Sequence, residues 1–292
     1  MNLPETFYKY TTAETALKVL ESGKFRWSNP FQFNDLTELQ RTPKIHPSIE
    51  DSIPEFIKTI VECAYNELNL NIEKLTLQGK ILISLCQLFK KNGILKADLI
   101  TKLMLGIPKE PSTTFEEEIR QNVASWGNEY SRIFCVTTDP SNEVMWAHYS
   151  ANNSGCVLGL RHLPEYDTPL LAARPIDYKS GPPIVCSGLE FLLYGDNAEI
   201  RSKSFDAICF TKDIKWSYES EWRVITWRYD EIGKSHGDYK FFSNELESVT
   251  FGAKTESSIK NKISNIISSK YSKCEVYEIT AEKGSIQRIK KS

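Results

Sequence analysis

Two carboxylates stand two residues apart in the segment 216–223, WSYESEWR. The apolar run 224–227, VITW, follows directly and predicts a strand. Because alternate residues of a strand share a face, we expect Glu219, Glu221 and Arg223 to point the same way. Polar groups in such a place must be paired or used, since burial without a partner is costly. The spacing therefore predicts a carboxylate pair suited to stabilising a cationic transition state or to moving a proton.

These two acids also have other interpretations. Glycosidases use two carboxylates as well, so hydrolysis of a sugar bond is a second chemistry open to Glu219 and Glu221. A purely structural alternative is an exposed strand edge on which Glu221 pairs with Arg223 or Lys215. Spacing alone favours the structural alternative, because charged pairs of this kind are common on protein surfaces.

A second group of candidate residues lies in the segment 145–149, MWAHY. On a helix, Met145 and Tyr149 share a face, as do Trp146 and Tyr149. Aromatic residues placed in this way either sandwich a planar ring or fill a core. His148 is a candidate base or polar contact, although it has no placed partner in the sequence.

The loop 27–35, WSNPFQFND, places polar side chains between aromatic ones. Asn34 and Asp35 are typical turn formers, and the same polar groups, with Ser28, are suited to gripping the polar edge of a ligand. The chain has neither a Walker A loop nor a Gly-x-Gly-x-x-Gly motif. A nucleotide ligand would therefore be held without a glycine-rich phosphate loop.

The composition is that of an ordinary globular protein, with 292 residues, 40% hydrophobic and 25% charged, and a net charge of −2. This charge gives no overall attraction to nucleic acid or to an anionic membrane. The chain has no apolar run near the roughly 20 residues that span a bilayer. Its first residues do not resemble a secretory signal. We therefore expect a cytoplasmic protein that does not associate with a membrane.

The seven cysteines are spaced too far apart for a Cys-x-x-Cys zinc site. Cys135 and Cys156 have apolar neighbours, which favours inert buried thiols over a Cys–His nucleophilic pair. The four histidines are scattered along the chain. We therefore expect no metal site.

The hydrophobic pattern divides the chain into three stretches. Residues 6–28 predict a strand, a helix and a strand, with Thr11 or Thr12 as the helix cap and Gly23 at its end. Residues 50–125 have helical spacing, including a helix that opens at 115–119 and runs toward Trp126. Beyond about residue 130 the pattern predicts strands at 132–137, 155–160, 176–178, 207–211, 222–227, 249–252, 274–279 and 286–289, with helices at 142–152, near 188–205 and at 259–267.

Taken together, the motifs resemble those of the bacterial domain-of-unknown-function family numbered 2971. The resemblance is carried by Tyr8-Lys9-Tyr10, Ser28-Asn29-Pro30 with Phe33-Asn34-Asp35, the segment 145–149 with Gly155, the segment 216–223, and Phe251-Gly252. These motifs span most of the chain, and the pattern Trp-x-x-Glu-x-Glu-Trp-Arg is the most specific of them.

The layout of the motifs is in turn similar to that of ADP-ribosyltransferases, especially the toxins that modify nucleic acids. Those enzymes begin with a strand that carries His or Arg, and Lys9 stands at that position here. Their second motif is a strand with Ser or Thr, similar to 134–138, and their third is a glutamate that corresponds to Glu221. The resemblance implies an α+β fold with an ADP-ribosyltransferase-like split β core. It further implies a single domain over 1–292 with a helical insertion at about 45–128.

The resemblance also implies NAD as a substrate and gives roles to individual residues. Glu221 would stabilise the oxocarbenium-like centre formed when nicotinamide leaves, and Glu219 would orient or deprotonate the acceptor. Trp146 or Tyr149 would stack on the nicotinamide ring, and Thr137 would support the ribose. The implied NAD-binding residues are Lys9, Tyr10, Thr11, Ser28, Asn34, Thr137, Trp146, His148 and Tyr149.

The implied acceptor is a macromolecule, either RNA, DNA or protein, and the enzyme would be a toxin or an anti-phage defence effector. A neutralising antitoxin is a candidate partner. Two alternatives stay open. An NAD glycohydrolase predicts free ADP-ribose without a labelled macromolecule. A non-catalytic nucleotide- or protein-binding module of a defence system predicts binding that survives Glu221→Gln.

Overall fold

The computed structural model describes residues 3–35, 37, 39, 43–106, 130–282 and 284–291. The described strands are β1 (Thr6–Thr11), β2 (Lys24–Ser28), β3 (Lys44–Ile45), β4 (Ser131–Thr137), β5 (Cys156–Arg161), β6 (Arg174–Pro175), β7 (Asp177–Lys179), β8 (Ile184–Cys186), β9 (Thr211–Asp213), β10 (Glu221–Trp227), β11 (His236–Lys240), β12 (Leu246–Phe251), β13 (Glu275–Glu282) and β14 (Ser285–Lys290). The described α-helices are α1 (Ala13–Ser22), α2 (Ile49–Ala64), α3 (Leu77–Lys91), α4 (Lys96–Leu105), α5 (Glu143–Tyr149), α6 (Gly188–Tyr194), α7 (Ala198–Cys209) and α8 (Ser257–Lys270).

The predicted α+β class is confirmed, and the contacts within the chain divide it into two compact units. Unit 1 contains Met1–Leu39, Ser125–Ser180 and Phe210–Ser292. Unit 2 contains Gln40–Ala124 and Gly181–Cys209. Much of the segment predicted as a helical insertion therefore belongs to unit 2, together with a second, later stretch of chain.

A ten-stranded sheet forms the centre of unit 1, with β11-β2-β4-β1-β5-β12-β13-β14 as its main strand order. On one side, β4 pairs with β10 along its whole length. On its other side β4 meets two strands, because Tyr8 of β1 pairs with Thr137 and Ser28 of β2 pairs with Ile133. The strands β1 and β2 therefore share one side of β4 and separate between these two points.

The first strand–helix–strand unit forms for the local reasons that the sequence predicts. The Thr12 hydroxyl accepts a hydrogen bond from the Thr15 N–H and caps α1. Gly23 ends the helix in the left-handed region, with φ of 65°, and its N–H donates to the Val19 carbonyl. The buried side of α1 packs against the sheet in the main hydrophobic core.

The two faces of the sheet differ in character. Phe7, Phe134 and Val224 lie on the face that packs against α1 and α8 in the main core. Trp27 stacks on Phe134 with a centroid distance of 5.5 Å and an interplanar angle of 14°. The opposite face carries Tyr8, Thr137 and Glu221, because successive residues of a strand alternate between faces.

Unit 2 is mainly helical. Helices α2, α3, α4 and α6 enclose a hydrophobic cluster that includes Phe56, Ile60, Ile83, Leu99 and Leu193. The short strands β3 and β8 pair in parallel within the same unit. The helical prediction for 50–125 is confirmed for α2, α3 and α4, whereas the helix predicted from 115–119 toward Trp126 lies outside the described residues.

One predicted strand is wrong. The apolar run Ala207-Ile208-Cys209 is the last turn of α7, and the strand β9 begins only at Thr211. A short apolar run fits a buried strand and a buried helix end equally well, and here it packs as a helix.

No described helix combines the length and the apolar character that crossing a membrane would require.

Candidate functional site

A cavity of about 280 Å³ opens in unit 1 beside the separation of β1 and β2. Its charged lining residues are Lys9, Asp35, Lys212, Glu219 and Glu221. The aromatic lining residues are Tyr8, Tyr10, Phe33 and Tyr149, and the rest of the lining is Ser28, Gln32, Asn34, Cys135, Val136 and Met145.

Three strands from distant parts of the sequence contribute one row of residues beside the cavity. Tyr8 of β1 pairs with Thr137 of β4, and Thr137 pairs with Glu221 of β10 on its other side. Residues opposite one another in an antiparallel ladder point to the same face of the sheet. Tyr8, Thr137 and Glu221 therefore lie side by side, although more than 80 residues separate each from the next in the chain.

The prediction that Glu219, Glu221 and Arg223 share one strand is wrong for Glu219. Glu219 is the last residue of a 3-10 helix, Ile214–Glu219, and β10 begins at Glu221. Between them, Ser220 adopts a left-handed conformation with φ of 44° and breaks the strand. The two carboxylates nevertheless come together, because the turn carries Glu219 back toward the face that bears Glu221.

A buried lysine joins the two carboxylates. Lys212 Nζ donates to Glu219 Oε2 at 2.7 Å and to Glu221 Oε2 at 3.1 Å. All three residues are almost fully buried, with Glu219 4% and Glu221 5% exposed. The expectation of two carboxylates held close together is therefore confirmed, and the lysine that holds them was not among the predicted site residues.

Glu221 has the lower pKa of the two acids. Arg223 donates to Glu221 Oε1 through Nε at 2.9 Å, and its Nη2 lies 2.8 Å from the same oxygen. Burial alone would raise the pKa of Glu221, but the Arg223 guanidinium and the Lys212 ammonium outweigh it and lower the pKa to about 2. The ion pair with Arg223 confirms one element of the structural alternative, but the pair is buried and is not on an exposed edge. Lys215 instead faces Asp213.

Glu219 has the opposite tendency. Burial raises its pKa above the ordinary value, and the neighbouring Glu221 acts in the same direction, while Lys212 opposes them. Its Oε1 accepts a hydrogen bond of 2.5 Å from the Tyr149 hydroxyl. Burial and the hydrogen bond to Glu219 raise the pKa of Tyr149, so that the phenol stays a donor. The two carboxylates thus differ in protonation behaviour, which is the arrangement expected of an acid–base pair.

Lys9 lies in the cavity lining with its ammonium directed to the backbone. Its Nζ donates to the Cys135 carbonyl at 2.7 Å and lies 5.1 Å from the centroid of the Phe134 ring. Cys135 stands between the points at which β1 and β2 pair with β4. Lys9 therefore bonds a carbonyl in the stretch of β4 where its two neighbours separate, in addition to facing the cavity.

Helix α5 carries the second predicted motif and places its aromatic residues differently. Asn142 caps the helix by accepting from the Met145 N–H. Trp146 is 0% exposed, donates its ring N–H to the Pro140 carbonyl and packs edge-on against Tyr10. Of the two residues predicted to stack on a ligand ring, Tyr149 lines the cavity and Trp146 does not.

The predicted site residues therefore divide into two groups. Those that line the cavity are Lys9, Tyr10, Ser28, Asn34, Tyr149, Glu219 and Glu221, and those outside the lining are Thr11, Thr137, Trp146 and His148. Thr137 is buried and its hydroxyl accepts from the Asp139 N–H. His148 is exposed, with Nδ1 3.3 Å from the Tyr218 hydroxyl. The role assigned to Thr137 at the ribose is thus not supported by its position.

Sequence reasoning missed Tyr8, Lys212 and Tyr178. Tyr178 accepts the Glu221 N–H on its hydroxyl at 2.8 Å. Lys212 leaves a weak signal, since a lone lysine within the run Phe210-Thr211-Lys212 implies a buried counter-charge. No spacing rule connects Lys212 with Glu219, because a 3-10 turn and not a regular strand or helix brings them together.

The thiols and the metal-binding side chains add no further chemistry. Burial raises the pKa of Cys135, with Glu221 acting in the same direction, and burial raises the pKa of Cys156 to about 12. Such thiols are poor nucleophiles. Within the described ranges, no cluster of three or more His, Cys, Asp or Glu side chains is arranged to hold a metal ion.

Comparison of the chain with models of protein families, with curated proteins and with solved structures finds no match.

Proposed function

We propose that this chain is an NAD-dependent ADP-ribosyltransferase. The observation that carries the proposal is the buried pair of Glu219 and Glu221, which faces an aromatic cavity and differs in protonation behaviour. A second support is the row formed by Tyr8, Thr137 and Glu221, because it joins the three strands that correspond to the transferase motifs.

The proposed chemistry uses the charge on Glu221. When the bond between the ribose C1′ and the nicotinamide nitrogen breaks, its electron pair stays on the nitrogen and nicotinamide leaves as a neutral molecule. Positive charge develops on the ribose, and a carboxylate fixed beside it stabilises that charge without reorganising. With a pKa of about 2, Glu221 is ionised at any physiological pH.

Glu219 is suited to the second half of the reaction. The acceptor forms its new bond to C1′ with a lone pair and releases a proton as it does so. A carboxylate whose pKa is raised above the ordinary value accepts such a proton more readily than Glu221 does. The Tyr149 hydroxyl, bonded to Glu219 Oε1, fixes the orientation of that carboxylate.

The size and the lining of the cavity support the reacting end of NAD as its ligand. Its aromatic residues include Tyr8, Phe33 and Tyr149, and its carboxylates, with Asp35 among them, outnumber its two lysines. Aromatic faces and carboxylates together attract a flat cation, and the oxidised nicotinamide ring is one. The volume of 280 Å³ is close to the lower end of ligand pockets, roughly 300–1,000 Å³, so it suits the nicotinamide and its ribose.

The acceptor and the biological setting follow from the motif resemblance alone. Under this proposal a macromolecule, either RNA, DNA or protein, receives the ADP-ribose, and the enzyme acts as a toxin or a defence effector.

The test is incubation of the purified protein with NAD labelled on its adenylate, together with cell lysate. We expect label on a macromolecule, with nuclease and protease digestion identifying its class. Glu221→Gln should lose transfer by about 10²–10³-fold. Glu256→Gln, which changes an exposed carboxylate at the start of α8, is the matched control and should retain it.

Thermal unfolding of each variant accompanies the assay, because Glu221→Gln also weakens the pairing of the buried Arg223. Free ADP-ribose without labelled macromolecule would replace the proposal with an NAD glycohydrolase. Intact NAD, with nucleotide binding that survives Glu221→Gln, would replace it with a binding module.

A further inference from the structure

Lys212 is a buried cation that contacts both carboxylates of the site. Arg223 contacts Glu221 and Tyr149 contacts Glu219, whereas the Lys212 ammonium bonds to an oxygen of each acid. The same ammonium lies 4.9 Å from the centroid of the Trp216 ring, which adds a cation–π contact. The position of Lys212 is therefore fixed from several directions.

A small two-stranded sheet presents Lys212 to the carboxylates. The strands β7 and β9 pair in parallel, with Tyr178 beside Lys212. The Tyr178 hydroxyl accepts the Glu221 N–H, and Lys212 binds the Glu221 carboxylate. Neighbouring side chains of this small sheet thus hold both the backbone and the side chain of Glu221. This is the support that a preorganised site needs.

We propose that Lys212 is the positioning residue of this site, holding Glu219 and Glu221 in one geometry and supplying the positive charge that the two carboxylates share. The inference rests on the proposed function in that both acids take part in the reaction. Lys212 acts through the carboxylates and does not itself exchange a proton with the substrate.

The physical reason lies in the charges. Without Lys212, the two buried carboxylates would lie near each other without a shared cation. Repulsion between the like charges would then favour protonation of one of them. Glu221 keeps Arg223 as a partner, so the proton would go to Glu219. A protonated Glu219 no longer accepts a proton from the acceptor, and the two halves of the reaction would become uncoupled.

The test compares Lys212→Gln, which removes the charge, with Lys212→Arg, which keeps it. Lys215→Gln is the matched control, because Lys215 is largely exposed and faces Asp213. The first readout is the titration of Glu219 by carboxyl carbon-13 NMR, with its signal assigned through Glu219→Gln. We expect Lys212→Gln to move the Glu219 midpoint to higher pH, and Lys212→Arg and Lys215→Gln to leave it near the wild-type position.

The second readout is the pH profile of kcat with NAD. We expect Lys212→Gln to lower kcat at neutral pH by about 10²-fold and to move its acid limb upward, with Lys212→Arg recovering both. A merely structural lysine would lower kcat at every pH without moving the limb. An unmoved Glu219 titration in folded Lys212→Gln would overturn the inference whatever the activity.

Folding and function are separated by two further results. If Lys212→Gln does not fold, Lys212→Met combined with Glu219→Gln removes one charge of each sign and should recover the Tm. Failure of that pair to recover it would count against the inference. If the wild-type protein leaves NAD intact while the Glu219 titration still moves in Lys212→Gln, the proposed function falls and the positioning role stands.

Discussion

At the residue scale, Glu219 and Glu221 show how the surroundings give two identical side chains different pKa values. Both are buried, so desolvation raises the pKa of each. Glu221 has Arg223 and Lys212 as partners, and their charge outweighs burial. Glu219 shares only the lysine and a neutral Tyr149 hydroxyl, and burial dominates there. Chemical difference within the pair thus comes from the positions of two cations.

The raised pKa of Glu219 predicts the acid side of the pH–rate profile. Under the proposed function Glu219 is the base and must be unprotonated, so activity should fall as pH drops through the folded-state pKa of Glu219. Because burial raises that pKa above 4.5, activity is lost at a higher pH than for an ordinary glutamate. The measurement is kcat against pH, and Tyr149→Phe should move the limb higher still, since the Tyr149 hydrogen bond lowers the pKa of Glu219.

A limb at or below the ordinary glutamate value would contradict this assignment. Glu221 does not account for such a limb, because its pKa of about 2 leaves it ionised throughout the range of a practical assay.

Residue identity alone predicted part of this site and failed for the rest. Glu219, Glu221 and Tyr149 are recognisable from type and spacing, and all three line the cavity. Trp146 has the same aromatic character as Tyr149 but fills the core, and nothing in the spacing of α5 distinguishes the two. Lys212 was missed because its contacts depend on the turn that ends at Ser220.

At the scale of elements, the strand β4 organises the site. The strand β10 pairs along one side of β4, and β1 and β2 pair with its other side at different points. Each of these strands was predicted from its apolar pattern. The order in which they pair was not, because pairing depends on contacts between residues that are far apart in the chain.

The turn between α5 and β5 has an unusual backbone conformation and leaves no room for a side chain at Gly155. Ala151, Asn152 and Asn153 are three successive residues with positive φ, and Gly155 follows them. A Cβ atom on Gly155 would collide with the Thr11 carbonyl oxygen and with Ser150. This close approach explains why a glycine stands between the helix and the strand.

We therefore expect Gly155→Ala to lower the free energy of unfolding by about 1–3 kcal/mol, as overpacking does elsewhere. Urea denaturation provides the measurement. Gly181→Ala is the control, because a Cβ there has open space around it, and its stability should be unchanged. Equal stability of both variants would show that β1 and this turn approach less closely than described.

At the scale of the whole molecule, the chain forms two units, and unit 1 alone contains the candidate site. The sequence predicted a helical block and a strand-rich remainder. It did not predict that 181–209 would belong to the same unit as the helical block, because that grouping depends on contacts between stretches that are far apart in the chain. The predicted helices and strands agree with the α+β class, whereas the division into units depends on packing.

The thiols supply a prediction for the whole chain. All seven cysteines are free and five are buried, and burial raises the pKa of the partly exposed Cys274 to about 12. We expect slow reaction of the native protein with a thiol reagent near pH 8 and rapid reaction of seven thiols after unfolding. The Tm should be the same with and without a reductant, and a reductant-dependent Tm would reveal a disulfide.

The row of Tyr8, Thr137 and Glu221 also has a consequence for synthesis. Its members are drawn from the early, middle and late parts of this chain, so two long loops must close before the row exists. Such nonlocal pairing is slow compared with helix formation. A ribosome that has released only the first 200 residues has therefore produced no pair of carboxylates. Under the proposed function, activity would therefore arise in a single late step of synthesis, and translation products truncated before Glu219 would lack it.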